Sequence, residues 1–236
     1  FDKAFAAAEK AHIEPTADAW QLRGDALMFN DRNADAARAY EEALQRLQED
    51  GQREIMILAR LSELEYRSSR LTHALEPLEA LLPRLGANVA SNEAEIEDTF
   101  VSLEKELENP ALVAPIPAGE ELRHEVLCNT FRNLAEVAYY FRATRQEYYA
   151  AAALRLALQL KTTSAAAQMF SLYAFLAAQE GRLELVDTLA ELAAIASDAC
   201  DDVVSKMFAK SMVASARVMQ GDAAKGLADN TEAWEI

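Results

Sequence analysis

Five small residues recur along this chain in similar surroundings: Gly24, Ser62, Ala138, Ala174 and Ala214, separated by 38, 76, 36 and 40 residues. A small side chain inside an apolar helical stretch lets a second helix approach closely, and larger neighbours then fill the space around the crossing. A recurrence every few tens of residues belongs to arrays in which one unit cannot bury its apolar face alone and must stack on the next. The 76-residue interval is two units long, with one unit replaced by something else. This pattern constrains the fold more than any single motif does.

The clearest copy is Ala19 to Leu47, AWQLRGDALMFNDRNADAARAYEEALQRL. Trp20 precedes Gly24, Leu27 follows it, and after a turn at Asn30–Asn33 come Ala36, Tyr40, Ala43 and Leu44. The order is large, small, large, turn, small, aromatic, small, large, and it resembles the tetratricopeptide repeat, a helical hairpin. Weaker copies carry Ser62, Ala74, Leu78 and Leu81; Ala138, Ala150, Leu154 and Ala157; Ala174, Gly181, Val186 and Ala193; and Ala214, Gly221, Gly226 and Ala233. Only 7 Gly and 6 Pro are present while Ala and Leu dominate, so the elements are long and helical. With 51% hydrophobic residues, a disordered chain is excluded for most of the length. Asp31-Arg-Asn33, Gly181-Arg182 and Gly221-Asp222 stand where turns between paired helices belong, and Pro77 and Pro83 should kink or stop the second helix of the second hairpin.

From Ala87 to Glu121 the pattern is broken. These 35 residues hold 9 acids and 1 Lys, a net −8, half of the whole chain's −16. Glu93–Glu108 reads as an acidic amphipathic helix with Ile96, Phe100, Leu103 and Leu107 on one face. Asn109–Gly119, NPALVAPIPAG, must be largely extended. Two readings stay open here, a regulatory segment docked on the array or on a partner, and a solvated insertion. At the ends, Phe1, Phe5, Ala8 and His12 are spaced as one helix face, and Asp222–Ile236 opens a further helix-like stretch. Both ends read as cuts through a longer helical array, so a piece of a larger polypeptide is expected.

Catalytic patterns are not found. His124 and Cys128 are four apart, with Glu120 and Glu121 one turn earlier, but a tight zinc site needs more matched ligands than this, and the pair reads as packing. Gly221-Asp-Ala-Ala-Lys-Gly226 lacks the GK[ST] of a phosphate loop. No GxSxG and no Ser/His/Asp spacing is present. A net charge of −16 argues against a nucleic-acid surface, and no apolar run reaches the length of a membrane span. Two cysteines, Cys128 and Cys200, exclude a disulfide scaffold and fit a reducing compartment.

Eight of the eighteen aromatic residues lie between Tyr139 and Phe175: Tyr139, Tyr140, Phe141, Tyr148, Tyr149, Phe170, Tyr173 and Phe175. In stacked hairpins the first helices line the concave groove. The residues turned off the inter-repeat core are then Gln21, Asp25 and Phe29 in the first hairpin, Arg132, Tyr139 and Arg142 in the third, and Gln168, Ser171 and Phe175 in the fourth. Tyr and Arg are favoured at binding hot spots, and Arg132 and Arg142 have the chemistry to hold a carboxylate or phosphate bidentately. The alternative, gap-filling aromatics beside a solvated arginine stripe, stays open. The stretch Leu134–Lys161, LAEVAYYFRATRQEYYAAAALRLALQLK, is similar to the helical repeat region of large multidomain signalling regulators, in which an ATPase domain and a kinase or nucleotide-cyclase domain accompany long tetratricopeptide arrays. It departs from them at Ala143 and Thr144, where a Gly-Asp turn is usual. That resemblance implies a sensor or scaffold without catalysis of its own.

The expectation is therefore an all-α protein, a right-handed superhelical solenoid of tetratricopeptide-like hairpins. Residues 1–16 form a partial or capping helix, 17–86 hairpins one and two, 87–121 the acidic insertion, and 122–236 hairpins three to five, the last one truncated. The function read from this is a cytoplasmic, non-catalytic protein-interaction or scaffold module that binds a peptide or partner protein in its groove, or works against flanking domains of its own polypeptide. It has no cofactor, no metal, no nucleic acid and no membrane. The alternative is a ligand-sensing regulatory domain of a larger signalling or transcription-regulating protein.

Overall fold

The structure, a computed structural model, describes residues 2–47, 50–68, 75–139 and 143–234. Every regular element among them is helical. Contacts divide the chain into residues 1–88 and residues 89–236. The first unit holds α1 (Asp2–Lys10), α2 (Ala17–Phe29), α3 (Asn33–Arg46), α4 (Gly51–Ser68) and α5 (Leu75–Leu81). The second holds α6 (Glu93–Glu108), α7 (Glu121–Tyr139), α8 (Ala143–Leu160), α9 (Ser164–Gln179), α10 (Leu183–Ala199), α11 (Val203–Met219) and α12 (Ala223–Ala233). Two 3₁₀ turns, Pro83–Leu85 and Pro110–Leu112, complete the described elements.

The helix starts follow from short polar side chains. Thr16 accepts the Ala19 amide at the head of α2, Asp50 the Arg53 amide at α4, Thr163 the Ala166 amide at α9, and Asp202 the Val204 and Ser205 amides at α11. The hairpin turns share one hydrogen-bond scheme. Arg32 N donates to Leu27 O at 2.9 Å, Arg182 N to Ala177 O at 2.8 Å, and Asp222 N to Arg217 O at 3.0 Å. Each turn holds one left-handed residue, Asp31 at φ 55°, Gly181 at φ 77° and Gly221 at φ 94°. These are Schellman closures, and Asp31 supplies in the first hairpin what glycine supplies in the other two.

Antiparallel pairs α2–α3, α7–α8, α9–α10 and α11–α12 pack most closely, and α9 also lies along α11. Gly24 lies at the α2–α3 crossing and Ala214 at the α11–α12 crossing. Gly24, Ser62, Ala138, Ala174 and Ala214 are all buried, as are Ala36, Ala43, Ala150, Ala157, Ala193, Gly226 and Ala233 on the second helices; Ala74 lies outside the described residues. A methyl group on Gly24 would stand 2.6 Å from the Tyr40 ring, and one on Gly226 would meet Val218 Cγ2 at 2.6 Å and the Ala214 carbonyl at 2.7 Å. Helix α9 is apolar all round and is accordingly wrapped by α8, α10 and α11. In the first unit the fully buried large residues are Tyr40, Ile57, Leu58, Leu64, Leu78, Leu82 and Leu85. In the second they include Leu134, Tyr149, Leu154 and Phe170.

In the second hairpin the described helix continues past Pro77, and the chain leaves it at Pro83. Helix α5 is 7 residues long with Pro77 inside it, and Pro83 opens a 3₁₀ turn that Gly86 closes at φ 83°. The acidic stretch is part docked and part solvated. Its helix α6 lies against α8, whereas residues 109–119 are mostly exposed.

Gly24→Ala tests whether close approach or helix propensity governs these crossings. Alanine favours a helix over glycine by about 1 kcal/mol. Tyr40 cannot yield easily, because its ring is enclosed and its hydroxyl is bonded to Asp25. The expected outcome in urea unfolding is a net loss of roughly 1–2 kcal/mol, since overpacking a core costs about 1–3. An unchanged or raised midpoint would refute the crossing geometry.

Candidate interaction face

In each first helix, the residue after the small contact residue keeps its side chain out of the core. In the first unit these are Asp25 and Glu63; in the second they are Tyr139, Phe175 and Ser215. One residue onward along a helix is a rotation of about 100°, so a buried crossing at one position turns the next toward the side of the packed row. The face is thereby set by the same glycine, serine and alanines that set the packing.

In the first unit this face is an arginine–carboxylate ladder between α2 and α4. Arg53, Arg60 and Arg67 are seven residues apart and share one stripe of α4. Arg53 donates to Gln21 Oε1 at 2.8 Å and pairs with Asp18. Arg60 stands 3.9 Å from Asp25 and 3.2 Å from Glu63, and Arg67 lies 2.9 Å from Glu63. Asp25 also accepts the Tyr40 hydroxyl at 2.7 Å, which ties the exposed ladder to the core. These pairs are solvent-exposed, and each contributes at most about 1 kcal/mol to stability. Phe29, at the end of α2, is 89% exposed.

In the second unit, α7 and α9 place the remaining candidates. Tyr139 is half exposed and Phe175 partly so. Arg132 is largely enclosed and occupied on its own helix, 3.6 Å from Glu136 and donating to Asn133 Oδ1 at 3.2 Å. A bidentate anion contact at Arg132 would first have to break these. Gln168 donates to Ser205 Oγ on α11 at 2.5 Å. Ser171 is fully buried and donates to Gln168 O at 2.8 Å, so it offers nothing to a partner. The reason is its place on a side of α9 that neighbouring helices cover, away from the partly exposed Phe175. Arg142 lies outside the described residues, with Tyr140 and Phe141. Of the other clustered aromatics, Tyr148, Tyr149, Phe170 and Tyr173 are core, and Tyr148 and Tyr149 pack with Phe131.

The structure thus brings Gln21 and Asp25 together through the arginines of α4. Those arginines, the Arg53-Arg60-Arg67 stripe, are the residues that reasoning from the small-residue pattern passes over. Their seven-residue spacing was the available signal. His124 and Cys128 take up packing roles: His124 Nδ1 is 2.9 Å from Glu120 O, and the buried Cys128 thiol donates to Ala153 O at 3.4 Å. Burial pushes the Cys128 thiol up to about 12. Among the described residues no group of three or more His, Cys, Asp or Glu side chains is placed to hold a metal ion, and no helix is long and apolar enough to cross a membrane. A recess of about 240 Å³ opens among α10, α11 and α12, walled by Ala190, Ala193 and Ala209 and rimmed by the Lys210–Glu232 and Arg217–Asp229 ion pairs. Compared with protein-family models, with curated proteins and with solved structures, the chain gives no match.

The Tyr40–Asp25 bond predicts an alkaline limit to stability. Burial, then the hydrogen bond and charge of Asp25, raise the Tyr40 phenol above its ordinary 10.0. The folded state therefore holds this proton more tightly than the unfolded one. The resulting stability is complete below pH 10 and declines as pH rises from there toward the folded-state value. Urea midpoints measured from roughly pH 9 to pH 11 should fall, and should fall less in Tyr40→Phe. Equal slopes in the two proteins would sink the assignment.

Proposed function

We propose that this chain is a non-catalytic protein-interaction or scaffold module, a solenoid of tetratricopeptide-like hairpins that takes an extended peptide or a partner protein on the face of its first helices. The observation that carries the reading is a placement that recurs within each unit: the position one residue beyond a buried small residue stays out of the core, Asp25 and Glu63 in one unit and Tyr139, Phe175 and Ser215 in the other. A row repeated at helix spacing suits an extended ligand, which meets one position per helix. The charged ladder of the first unit and the aromatic positions of the second differ in chemistry. Each would select a ligand chemistry of its own. The net charge of −16 weighs against a nucleic-acid partner, and two buried free cysteines accord with a cytoplasmic setting.

A second reading, a ligand-sensing domain of a larger signalling protein, has the recess among α10, α11 and α12 in its favour. That recess, about 240 Å³, lies below the usual 300–1,000 Å³ of small-molecule sites, whereas a hollow of about 760 Å³ beside Phe5, Trp20 and Arg23 in the first unit lies within it, so cavity size does not decide between the two readings.

Peptides selected on the wild-type protein from a displayed random library, then labelled and followed by fluorescence anisotropy, test the proposal. Tyr139→Ala combined with Phe175→Ala should weaken binding about tenfold or more, or about 1.4 kcal/mol, with helicity retained. Ile195→Ala, on an exposed position of a second helix, should leave it unchanged. Selection of no peptide at all, or sensitivity to Ile195 in place of the first-helix aromatics, would overturn it.

A further inference from the structure

We infer that the outer face of α8 is a docking surface for an acidic amphipathic helix, and that α6 is its tethered occupant, closing the surface in cis against a partner of the same chemistry. This surface is separate from the first-helix face, and the inference does not depend on that reading.

Helix α8 is packed by its hairpin mate α7 and by α9, as α10 is packed by α9 and α11. It differs from α10 in carrying a further helix, α6. The stripe beneath α6 runs through Tyr148, Ala152, Arg155 and Gln159, spaced as one face of a helix. Three contacts hold α6 to it. Leu103 is the residue of α6 that is fully enclosed, at 2% exposure, while Ile96, Phe100 and Leu107 keep part of their surface. Glu106 takes the Arg155 guanidinium with both oxygens, Nε at 2.9 Å and Nη2 at 2.7 Å. Ahead of the helix, the Ala90 amide donates to the Tyr148 hydroxyl oxygen at 2.9 Å.

The match is specific but incomplete. One leucine and, three residues on, one glutamate meet an apolar surface and an arginine. The remaining acids of α6, Glu93, Glu95, Glu97, Asp98, Glu104 and Glu108, face water. On the α8 stripe, Gln159 Oε1 is buried without a hydrogen bond, an acceptor that α6 leaves unanswered. A partner helix that brings a donor to that position would be bound better than α6. On its C-terminal side α6 is followed by the exposed, proline-rich residues 109–119, so its hold is the α8 contact and little else. Tethering gives such a helix an effective concentration of order millimolar, enough to exclude a weak competitor and to yield to a stronger one.

The probe is a labelled synthetic peptide of residues 90–109, titrated into the full chain. Wild-type protein should bind it weakly. The variant Leu103→Asp with Glu106→Gln, which releases α6, should bind about tenfold tighter or more. Adding Arg155→Glu should abolish that gain, and a peptide carrying Glu106→Arg should restore it. A released variant that keeps its helicity and binds no tighter than wild type overturns the inference, as does indifference to Arg155→Glu. If the released variant fails to fold, hydrogen exchange on the wild-type chain decides. Amides of α6 less protected than those of α8 support a separable strap, and equal protection refutes it. A wild-type dimer in sedimentation that dissociates on Glu106→Arg would make a second copy's α6 the occupant and overturn closure in cis.

Discussion

Where Gly24 leaves a helix bare, the Tyr40 ring lies against the backbone of α2; where Gly226 does so, Ala214 and Val218 close onto α12. The rest of the structure depends on this close approach. Two helices that meet through small residues bring many larger side chains into contact around the crossing, and dispersion and burial accumulate there. The same geometry sets orientation. Once a small residue is fixed in the packed face, its successor on the helix points aside, and within each unit the positions that stay out of the core, Asp25 and Glu63 in the first and Tyr139, Phe175 and Ser215 in the second, follow without further selection. Packing and candidate interaction face are thus one decision taken at five positions.

That dependence explains what was legible in the sequence. The helices, the hairpin pairs and the turns at Asp31, Gly181 and Gly221 follow from local chemistry, a small residue, a cap and a left-handed position, all visible in composition and spacing. The end of α5 follows equally from Pro83. The candidate face was legible only in part. Phe29 and Tyr139 are exposed as a first-helix position implies, but Ser171 is enclosed, because several helices pack on α9 and periodicity within one helix cannot count them. Arg132 offered a charge for a ligand, yet a carboxylate one turn away and an adjacent amide engage it. The Arg53-Arg60-Arg67 stripe was missed for the converse reason. The seven-residue spacing marks a stripe on α4, but its meaning lies in the carboxylates and amide of α2 that the stripe meets.

Electrostatics divides the molecule in a way the net charge conceals. The arginines of α4 are balanced by Asp18, Asp25 and Glu63, so that face carries paired and mostly exposed charge, cheap to rearrange. The acids of α6 are unbalanced apart from Glu106, and their mutual repulsion opposes compact docking. A helix so charged stays on α8 because Leu103 and the bidentate pair outweigh that repulsion. The repulsion among the exposed charges depends on salt more than the half-buried pair does.

The broken repeat and the docked helix are therefore two sides of one constraint. A stacked hairpin leaves each second helix with an outer flank, and an array that is interrupted leaves such a flank without a regular neighbour. Apolar surface so exposed must be covered or it associates. Here the interval that lacks the small-residue pattern is the one that supplies α6, a helix with a single fully buried leucine, one anchored glutamate and an otherwise water-facing acidic surface. A full repeat in that place would bury more and hold the flank permanently. The acidic helix covers it while leaving the contact weak enough to exchange, and Gln159, with its buried acceptor unpaired, marks where the cover fits α8 least well.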